Sequence, residues 1–325
     1  MNENSKAIIV LCSHLCMTNE MKPLEPAEWK ILAGKLMELK ITPEELINLE
    51  KEKIYELFKK DEAERLLKLI ERSASIFFEI SKLEQKGIKI VTRADKEYPI
   101  KLKNKLGASV PPLFYYIGDL QLLNNPCIGI VGSRKIEIQE QDQTKKIVIN
   151  AIKKGYAIVS GGAKGIDSVS SEVAILNNGV VIEYISDSLL KKIKDPNIIK
   201  AIRNKKMVIL SQVKPDFGFN TGFAMARNKY IYTQSEGTVV IKSDFNKGGT
   251  WSGATEAIKK YYTKVFVLEN QKIKGNSELI SKGAIPITED FDFELEKYII
   301  KGPEIVDKSK KICELKQMSL FDNLS

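Results

Sequence analysis

Two glycine-rich turns contain the residues of this sequence that are best suited to bind an anion. The first is Ile128–Arg134 (IGIVGSR) and the second is Ile158–Asp167 (IVSGGAKGID). Each turn follows a short apolar run and opens a predicted helix, so main-chain N–H groups would face a ligand. Each also carries a cation, Arg134 or Lys164, and neither has the Gly-Lys-Ser/Thr ending with which a P-loop holds Mg²⁺ and a triphosphate. The turns therefore predict a phosphate-binding site without evident catalytic machinery.

Composition sets the broad class of the protein. The chain has 325 residues, of which 43% are hydrophobic, and this allows one large domain and a smaller one. No segment approaches the ~20 uninterrupted apolar residues of a membrane span, and we interpret the apolar run at residues 7–12 as a buried helix. We therefore expect a cytoplasmic protein with no membrane contact. The 51 Lys and Arg residues exceed the 42 Asp and Glu residues by a formal charge of +9, which permits a polyanionic partner.

The residue types needed for metal binding and acid–base catalysis are sparse. The one histidine, His14, lies between Cys12 and Cys16, and no second cysteine pair completes a metal site. No histidine lies near the glycine turns, and no carboxylate cluster suits a metal. We therefore predict no catalytic residue, no metal and no cofactor.

The chain changes character near residue 86. Residues 1–85 predict a small helical domain, with helix starts at Pro26 and at Thr42-Pro43-Glu44-Glu45, and we favour a scaffold or docking role for it. From Gly87 onward, short apolar runs alternate with amphipathic segments, among them Gln143–Lys154 and Ile166–Asn177. The predicted strands are Cys127–Val131, Tyr156–Ser160, Val180–Ser186, Lys206–Gln212, Thr238–Lys242 and Lys264–Glu269. This alternation predicts an α/β fold with a parallel sheet, whose ligands bind at the carboxyl ends of the strands.

An ordered set of motifs resembles one family, the DNA-processing proteins called DprA or Smf. The motifs are Tyr98-Pro99-x-x-Leu102, Pro111–Tyr115 with Gly118, Gly132–Arg134, Ser160–Asp167, Phe223-x-x-x-Arg227-Asn228-Lys229, Gly248–Ala257, and Gly275-Asn276-x-x-Leu279-Ile280-x-x-Gly283-Ala284. The resemblance implies an extended Rossmann-like, doubly wound, mostly parallel sheet after the helical domain. It also implies single-stranded DNA binding, a homodimer and loading of the recombinase RecA, in DNA recombination or natural transformation.

The chain departs from the family pattern at several positions. Ser171 stands where the family usually has a histidine, Lys242 replaces an acidic residue, and Gly248–Ala257 differs from the usual Ser-Gly-Ser-x-x-Thr-Ala. The residues after Phe293 are too few for the C-terminal winged-helix domain of many members, so we expect a divergent member without it.

The predicted DNA- or phosphate-binding residues come from the two turns and from three later segments. They are Gly132, Ser133, Arg134, Gly161, Gly162, Lys164, Gly165, Asp167, Arg227, Asn228, Lys229, Lys242, Gly248, Gly249 and Thr250. Arg227 and Lys229 would extend a basic track, and the alternative for them is a solvated helix face. For Asp167, an ordinary role at the N-terminus of a helix is an equal alternative. Single-strand binding also needs aromatic platforms, and Phe217 or Phe219 is the better candidate because we expect Phe223 and Tyr230 to be buried. The lysine-rich segment from Lys191 to Lys206 is either a solvated helix face or part of an electrostatic funnel.

A second interpretation belongs to a different functional class. The same pocket would hold a small nucleotide, in a nucleotide-ligand sensor or a phosphoribohydrolase-like enzyme, with Glu256 as the carboxylate to test. Ser171, Lys242 and the altered Gly248–Glu256 loop motivate this alternative.

We predict three segments: a helical domain at 1–85, a Rossmann-like domain at 86–297 and a flexible tail at 298–325. In the tail, Gln317, Met318, Ser319, Leu320 and Phe321 resemble the pentapeptide with which many bacterial replication and repair proteins bind the polymerase sliding clamp. The alternative is that Leu320 and Phe321 fold back onto the domain.

Overall fold

The computed structural model describes residues 1–18 and 22–298 of the chain. These residues form two compact units, 1–116 and 117–298. Within the described ranges, no helix combines the length and the apolar character that crossing a membrane requires.

The first unit is mainly helical. Its helices are α1 (Glu3–Cys12), α2 (Pro26–Leu39), α3 (Pro43–Ile47), α4 (Lys51–Leu57), α5 (Lys60–Glu71), α6 (Ser73–Gln85) and α7 (Ile100–Leu106). Strand β1 (Lys89–Thr92) pairs in antiparallel fashion with β2 (Leu113–Gly118). The predicted helix start at Thr42 is confirmed, because the Thr42 side chain and Glu45 form a reciprocal capping box. The predicted buried helix at residues 7–12 is also confirmed, since Ala7 to Cys12 of α1 are all buried.

A buried arginine ties the helices of the first unit together. Arg72, only 6% exposed, donates hydrogen bonds to the carbonyl oxygens of Val10 (2.6 Å) and Leu15 (3.1 Å). Burial lowers the pKa of this guanidinium, and the two carbonyl groups offset part of its lost hydration. The unit is therefore held by a polar contact as well as by its apolar core.

The second unit alternates strands and helices. Its strands are β3 (Cys127–Val131), β4 (Ala157–Ser160), β5 (Val181–Ile185), β6 (Met207–Ser211), β7 (Gly237–Val240), β8 (Lys264–Leu268) and β9 (Ile285–Ile287). Its helices are α8 (Ile138–Lys153), α9 (Ile166–Leu176), α10 (Leu189–Lys192), α11 (Pro196–Arg203), α12 (Thr221–Gln234), α13 (Gly248–Lys260) and α14 (Lys274–Ser281).

The strands of the second unit are parallel and lie in the order β6-β5-β4-β3-β7-β8-β9. The chain builds the sheet in one direction from β3 to β6 and then crosses to the other side of β3 for β7. This reversal creates a crevice at the carboxyl ends of β3 and β7, which is the usual ligand position in such sheets. The predicted α/β, Rossmann-like fold with a mostly parallel sheet and preceding helices is confirmed.

Some element boundaries differ from the sequence prediction. Helix α8 begins at Ile138 rather than at Gln143, because Glu137 and Glu140 form a capping box at its start. Strands β1, β2 and β9 were not among the predicted strands.

Candidate functional site

A cleft of about 460 Å³ opens at the crevice between β3 and β7. The loop after β3, the loop after β7, the start of α13 and one face of α12 all border it. Its lining includes Gly132, Ser133, Arg134, Asp167, Arg227, Asn228, Gly248, Gly249 and Thr250. These are nine of the predicted site residues, so the fold gathers segments from distant parts of the sequence around one space.

The first glycine turn packs tightly against its neighbours. A Cβ atom at Gly132 would lie 2.5 Å from Cγ1 of Ile166, so only glycine fits there without movement. The Ser133 N–H donates to the carbonyl oxygen of Lys242 at 2.9 Å, which ties the turn to the end of β7. Arg134 is left exposed at the rim of the cleft.

An aromatic ring faces this arginine at the rim. The guanidinium carbon of Arg134 lies 4.9 Å from the ring centroid of Phe219, within the range of a cation–π contact. Phe219 also borders the cleft and is 56% exposed, so one face of its ring is available to a base. The structure thus favours Phe219 over Phe217, which is half-buried and packs edge-on against Phe223 at 5.3 Å.

The second glycine turn lies directly on the first. A Cβ atom at Gly165, where φ is +82°, would lie 2.4 Å from the carbonyl oxygen of Ser133, and that oxygen accepts a hydrogen bond from Ile166 N–H at 3.3 Å. Lys164 is exposed and does not line the cleft. The backbones of the two turns are therefore in direct contact. Of the two cations, only Arg134 of the first turn lines the cleft.

Two opposite charges are buried at the floor of the cleft. Asp167 is 7% exposed and Arg227 is 4% exposed, and Arg227 Nη1 donates to the carbonyl oxygen of Tyr184 at 2.7 Å. The Ala163 N–H donates to Asp167 Oδ2 at 3.4 Å. A Cβ atom at Gly161 would lie 1.6 Å from Arg227 Nη1, so this glycine makes room for the guanidinium.

Burial dominates the titration of this pair. It raises the pKa of Asp167, against the opposing charge of Arg227 and the Ala163 N–H, and it lowers the pKa of Arg227, against the charge of Asp167. The alternative of a solvated helix face is wrong for Arg227, because its guanidinium is enclosed by the protein at the floor of the cleft that the residue borders.

Helix α12 contains three more residues that the sequence analysis considered for the site or its surroundings, in addition to Asn228. Asn228 Nδ2 donates to the Gly249 carbonyl oxygen at 2.9 Å and so links α12 to the start of α13. Lys229 is half-buried outside the cleft lining, with its ammonium 5.5 Å from the Tyr230 ring centroid, and burial lowers its pKa. Tyr230 is buried as predicted, whereas Phe223 is wrongly predicted as buried and is only half-buried.

The N-terminus of α13 opens into the cleft. Gly248, Gly249 and Thr250 border the cleft, no acidic residue occupies the first turn, and Lys247 at the N-cap makes no side-chain capping bond. Free N–H groups and the positive end of the helix dipole therefore face this space. Lys247 adds a cation at the rim, and the exposed Asp244 is the nearby acid. The sequence prediction did not include Lys247, although its place directly before Gly248-Gly249 was a usable signal.

Two lysines that were considered for phosphate or DNA contact, Lys242 and Lys192, are instead paired with carboxylates of the protein. Lys242 Nζ donates to Glu140 Oε1 at 2.8 Å and does not line the cleft. Lys192 Nζ, from the lysine-rich segment, donates to Glu183 Oε2 at 3.1 Å, and Ser171 Oγ donates to the other oxygen of the same carboxylate at 2.8 Å.

The Glu183 carboxylate packs against the second glycine turn. A Cβ atom at Gly162, where φ is +63°, would lie 2.5 Å from Glu183 Oε2. Gly161, Gly162 and Gly165 thus serve as packing positions around the cleft and are not part of its lining.

The carboxylate proposed for a hydrolase lies elsewhere. Glu256 accepts hydrogen bonds from Lys260 Nζ at 2.8 Å and from Tyr262 Oη at 3.2 Å, and it does not line the cleft. Across residues 1–18 and 22–298, no group of three or more His, Cys, Asp or Glu side chains is arranged to hold a metal ion.

Comparison with known proteins places most of the chain in one group. The family model of DNA recombination-mediator protein A matches residues 89–296. The chain is 28% identical over 178 residues to DNA processing protein DprA of Bacillus subtilis, covering 54% of this chain and 59% of that protein. It is 29% identical over 205 residues to DNA processing protein DprA of Streptococcus pneumoniae, covering 61% of this chain and 70% of that protein. The match therefore spans less than two thirds of the Bacillus relative.

Two solved structures resemble the fold. The crystal structure of DprA from Streptococcus pneumoniae aligns with a TM-score of 0.62 and 23% identity, over 78% of this chain and 88% of that one. DNA processing protein A from Helicobacter pylori, solved for its single-stranded DNA binding mode, aligns with a TM-score of 0.50 and 28% identity, over 65% of this chain and 93% of that one.

Proposed function

The chain belongs to the DNA recombination-mediator protein A family, and from this premise we propose that it binds single-stranded DNA in the cleft between β3 and β7. The observation that carries the proposal is at the rim of the cleft, where the Arg134 guanidinium lies over the ring of Phe219. A cation for phosphate and an exposed ring for a base are the two elements of sequence-tolerant single-strand binding.

In this proposal the strand backbone follows the positive edge of the cleft. Phosphate groups accept hydrogen bonds from the N–H groups at the start of α13, between the charges of Lys247 and Arg134. One base stacks on Phe219. Every nucleotide has a phosphate and a base that can stack, so we expect binding that depends on salt and varies little with DNA sequence.

We propose that the protein makes or breaks no bond in the DNA. The positions of Asp167 and Glu256 support this, and no histidine is among the described residues that line the cleft beside the exposed Asp244. Asp167 is buried beside Arg227 and accepts from the Ala163 N–H, and Glu256 lies outside the cleft lining. Neither is placed as an exposed acid or base toward a bound strand.

Fluorescence anisotropy with a labelled oligothymidylate tests the proposal. We expect binding at low salt, and Arg134→Ala should weaken it about tenfold, the effect of one charged hydrogen bond. The matched control is Lys153→Ala, which removes one positive charge from the exposed end of α8, outside the cleft lining. Absence of binding at low salt, or equal losses in the two variants, would reject the proposed site.

The partners remain separate proposals. By family membership we propose a homodimer that loads RecA onto the bound strand, to be checked by sedimentation and by RecA filament assembly on protein-coated DNA. Residues Gln317 to Phe321, which lie outside the described residues, are proposed to bind the sliding clamp. A peptide of residues 314–325 should bind the clamp in the micromolar range and lose that binding when Leu320 and Phe321 are both replaced by alanine.

A further inference from the structure

The positive charge of the second unit is concentrated in one surface segment. Residues 191–206 contain seven Lys or Arg residues and one acid, Asp195. The other residues of 117–298 contain 19 Lys or Arg residues and 19 Asp or Glu residues, so their formal charges cancel. The segment includes the end of α10 and the whole of α11. We call its exposed cations the α11 basic face, and they are Lys191, Lys194, Lys200, Arg203 and Lys205.

In the described part of the chain, these five cations have no acidic partner. By contrast, Lys146, Lys154 and Lys260 of the same unit each lie beside a carboxylate. The one acid of the segment is engaged with the backbone, since the Asp195 carboxylate accepts from the Asn197 N–H at 2.8 Å and caps α11. Like charges that lie close together repel one another, and this repulsion lowers the stability of the fold unless an anionic partner offsets it.

Interaction with the helix dipole explains only part of this charge. Lys200 and Arg203 lie in the last turn of α11, where a cation interacts favourably with the negative end of the dipole. Lys194, however, lies just before the N-cap of α11, where the positive end of the dipole disfavours a cation. The basic face as a whole therefore does not serve the helix, and we look for an anionic partner.

The residue types of the basic face indicate which polyanion fits it. Residues 191–206 contain no Phe, Tyr or Trp, and none of them lines the cleft. Surfaces that bind a single strand combine cations with aromatic rings on which bases stack. In a duplex the bases already stack on one another, and the backbone carries about one phosphate charge per 1.7 Å. Cations without aromatic rings therefore fit the backbone of a duplex better than a single strand.

The dimensions of α11 suit several duplex phosphates. Its eight residues give a helix about 12 Å long, and about seven duplex phosphates occur over that length. Lys200 and Arg203 are three positions apart, so they lie on the same side of this helix, while Ala201 faces the core. The basic face also begins beside the second glycine turn, because a Cβ atom at Gly162 would lie 2.8 Å from Lys192 Nζ at the end of α10.

We propose that the α11 basic face binds the backbone of duplex DNA. This inference goes beyond the proposed function, because it concerns a different surface and a different form of DNA. The cleft binds a single strand through a cation and a ring, and the basic face binds a duplex through cations alone. The two surfaces can therefore be occupied at the same time, as at a junction between duplex and single strand.

Fluorescence anisotropy of the full chain with two labelled DNAs tests the inference. One is a blunt-ended duplex of about 20 base pairs, roughly two helical turns. The other is an oligothymidylate of about six nucleotides, within the size of one strand-binding site. The basic-face variant replaces Lys200, Arg203 and Lys205 by alanine.

We expect the duplex affinity of this variant to fall at least about tenfold at low salt. Its slope of log K against log salt should lose roughly 2–3, since each duplex phosphate contact contributes about 0.9. Its affinity for the short oligothymidylate should match the wild type. Its melting temperature, followed by circular dichroism, should match that of the control variant, which shows that the loss of duplex affinity does not come from unfolding.

The matched control replaces Lys86, Lys153 and Lys259 by alanine. It removes the same net charge from exposed positions at the ends of α6, α8 and α13, and it should keep the wild-type duplex affinity. Arg134→Ala completes the comparison, because it should weaken oligothymidylate binding and leave duplex binding unchanged. On the wild type, the duplex should bind without displacing the short oligothymidylate.

The outcomes separate this inference from the proposed function. Equal losses of duplex affinity in the basic-face and control variants would overturn the inference, as would full displacement of the short oligothymidylate by duplex, because one surface would then serve both. Displacement of the duplex by polyglutamate at the same concentration of charge would overturn the assignment to DNA and indicate an acidic protein. Oligothymidylate binding without duplex binding overturns the inference and keeps the proposed function. Duplex binding without oligothymidylate binding keeps the inference and rejects the proposed function.

Discussion

The guanidinium carbon of Arg134 lies 4.9 Å from the ring centroid of Phe219 at the rim of the cleft. Arg134 comes from the turn after β3, and Phe219 comes from the loop that precedes α12. The contact joins a cation of the kind that binds phosphate to a ring of the kind that stacks on bases, although 85 positions separate the two residues in the numbering. This pair is the part of the site that most directly supports strand binding.

Phe219→Ala should weaken oligothymidylate binding by about 1–3 kcal/mol, which is the usual contribution of one base stacked on an aromatic ring. Anisotropy at fixed salt measures the change. Phe78→Ala is a close control, because Phe78 is 63% exposed and also carries a cation, Lys82, at 4.2 Å from its ring centroid. Phe78 belongs to the helical unit, and its loss should leave DNA affinity unchanged. A similar loss in both variants would contradict the stacking role of Phe219.

Lys247→Ala should reduce the salt dependence of DNA binding. Each phosphate contact on a single strand contributes about 0.7 to the slope of log K against log salt, and this variant should lose about that amount. Titrations at several salt concentrations give the slope. Lys259→Ala removes an exposed lysine from the far end of the same helix and should keep the wild-type slope. An unchanged slope for Lys247→Ala would exclude its contact with phosphate.

Gly165→Ala should lower the free energy of unfolding by at least about 2 kcal/mol. The new Cβ would lie 2.4 Å from the Ser133 carbonyl oxygen, and φ at this position is +82°, which alanine adopts only with strain. Urea denaturation followed by circular dichroism measures the loss. By contrast, Gly34→Ala in α2 meets no atom within 4 Å and should raise the stability by roughly 0.5–1 kcal/mol. A Gly165→Ala protein as stable as the wild type would show that the two turns are not packed as described.

Lys242→Met should lower the free energy of unfolding at pH 7 by about 1–3 kcal/mol, because it leaves the buried Glu140 carboxylate without its cation. Burial alone would raise the pKa of Glu140, but the Lys242 hydrogen bond, the Glu137 N–H and the Lys242 charge together lower it. A carboxyl group with a lowered folded pKa adds stability above its unfolded pKa of about 4.3, and this stability is lost as pH falls through the folded pKa.

The difference between wild type and Lys242→Met should therefore shrink below about pH 4. Urea denaturation at pH 7 and at successively lower pH values checks this. Lys145→Met, which removes the exposed partner of Asp142 on α8, should change the stability little at any pH. A difference that stays constant with pH would mean that the Lys242 ammonium does not interact with the Glu140 carboxylate.

Local patterns in the sequence were sufficient to predict the alternating fold. The apolar runs of the parallel strands and the glycine turns after β3 and β4 are short-range signals, and the structure has these elements within a few residues of the predicted bounds. The edge strand β9 escaped prediction because only three residues form it and its second position is a proline.

The environments of individual side chains depend on contacts between distant segments, which no local pattern encodes. Lys242 looked like a phosphate ligand from its position after β7, but its partner is Glu140, 102 positions earlier. Arg227 belonged to a basic motif. It is buried because α12 packs against the second glycine turn, where Gly161 leaves room for the guanidinium.

The direct contact of Gly165 with the Ser133 carbonyl has a consequence for the entropy of binding. A loop that must become ordered around its ligand loses conformational freedom, and that loss reduces the net affinity. Here each turn restrains the other through backbone atoms before any ligand arrives. The turns are therefore preorganised, and in the proposed complex the main ordering cost falls on the DNA strand rather than on these turns.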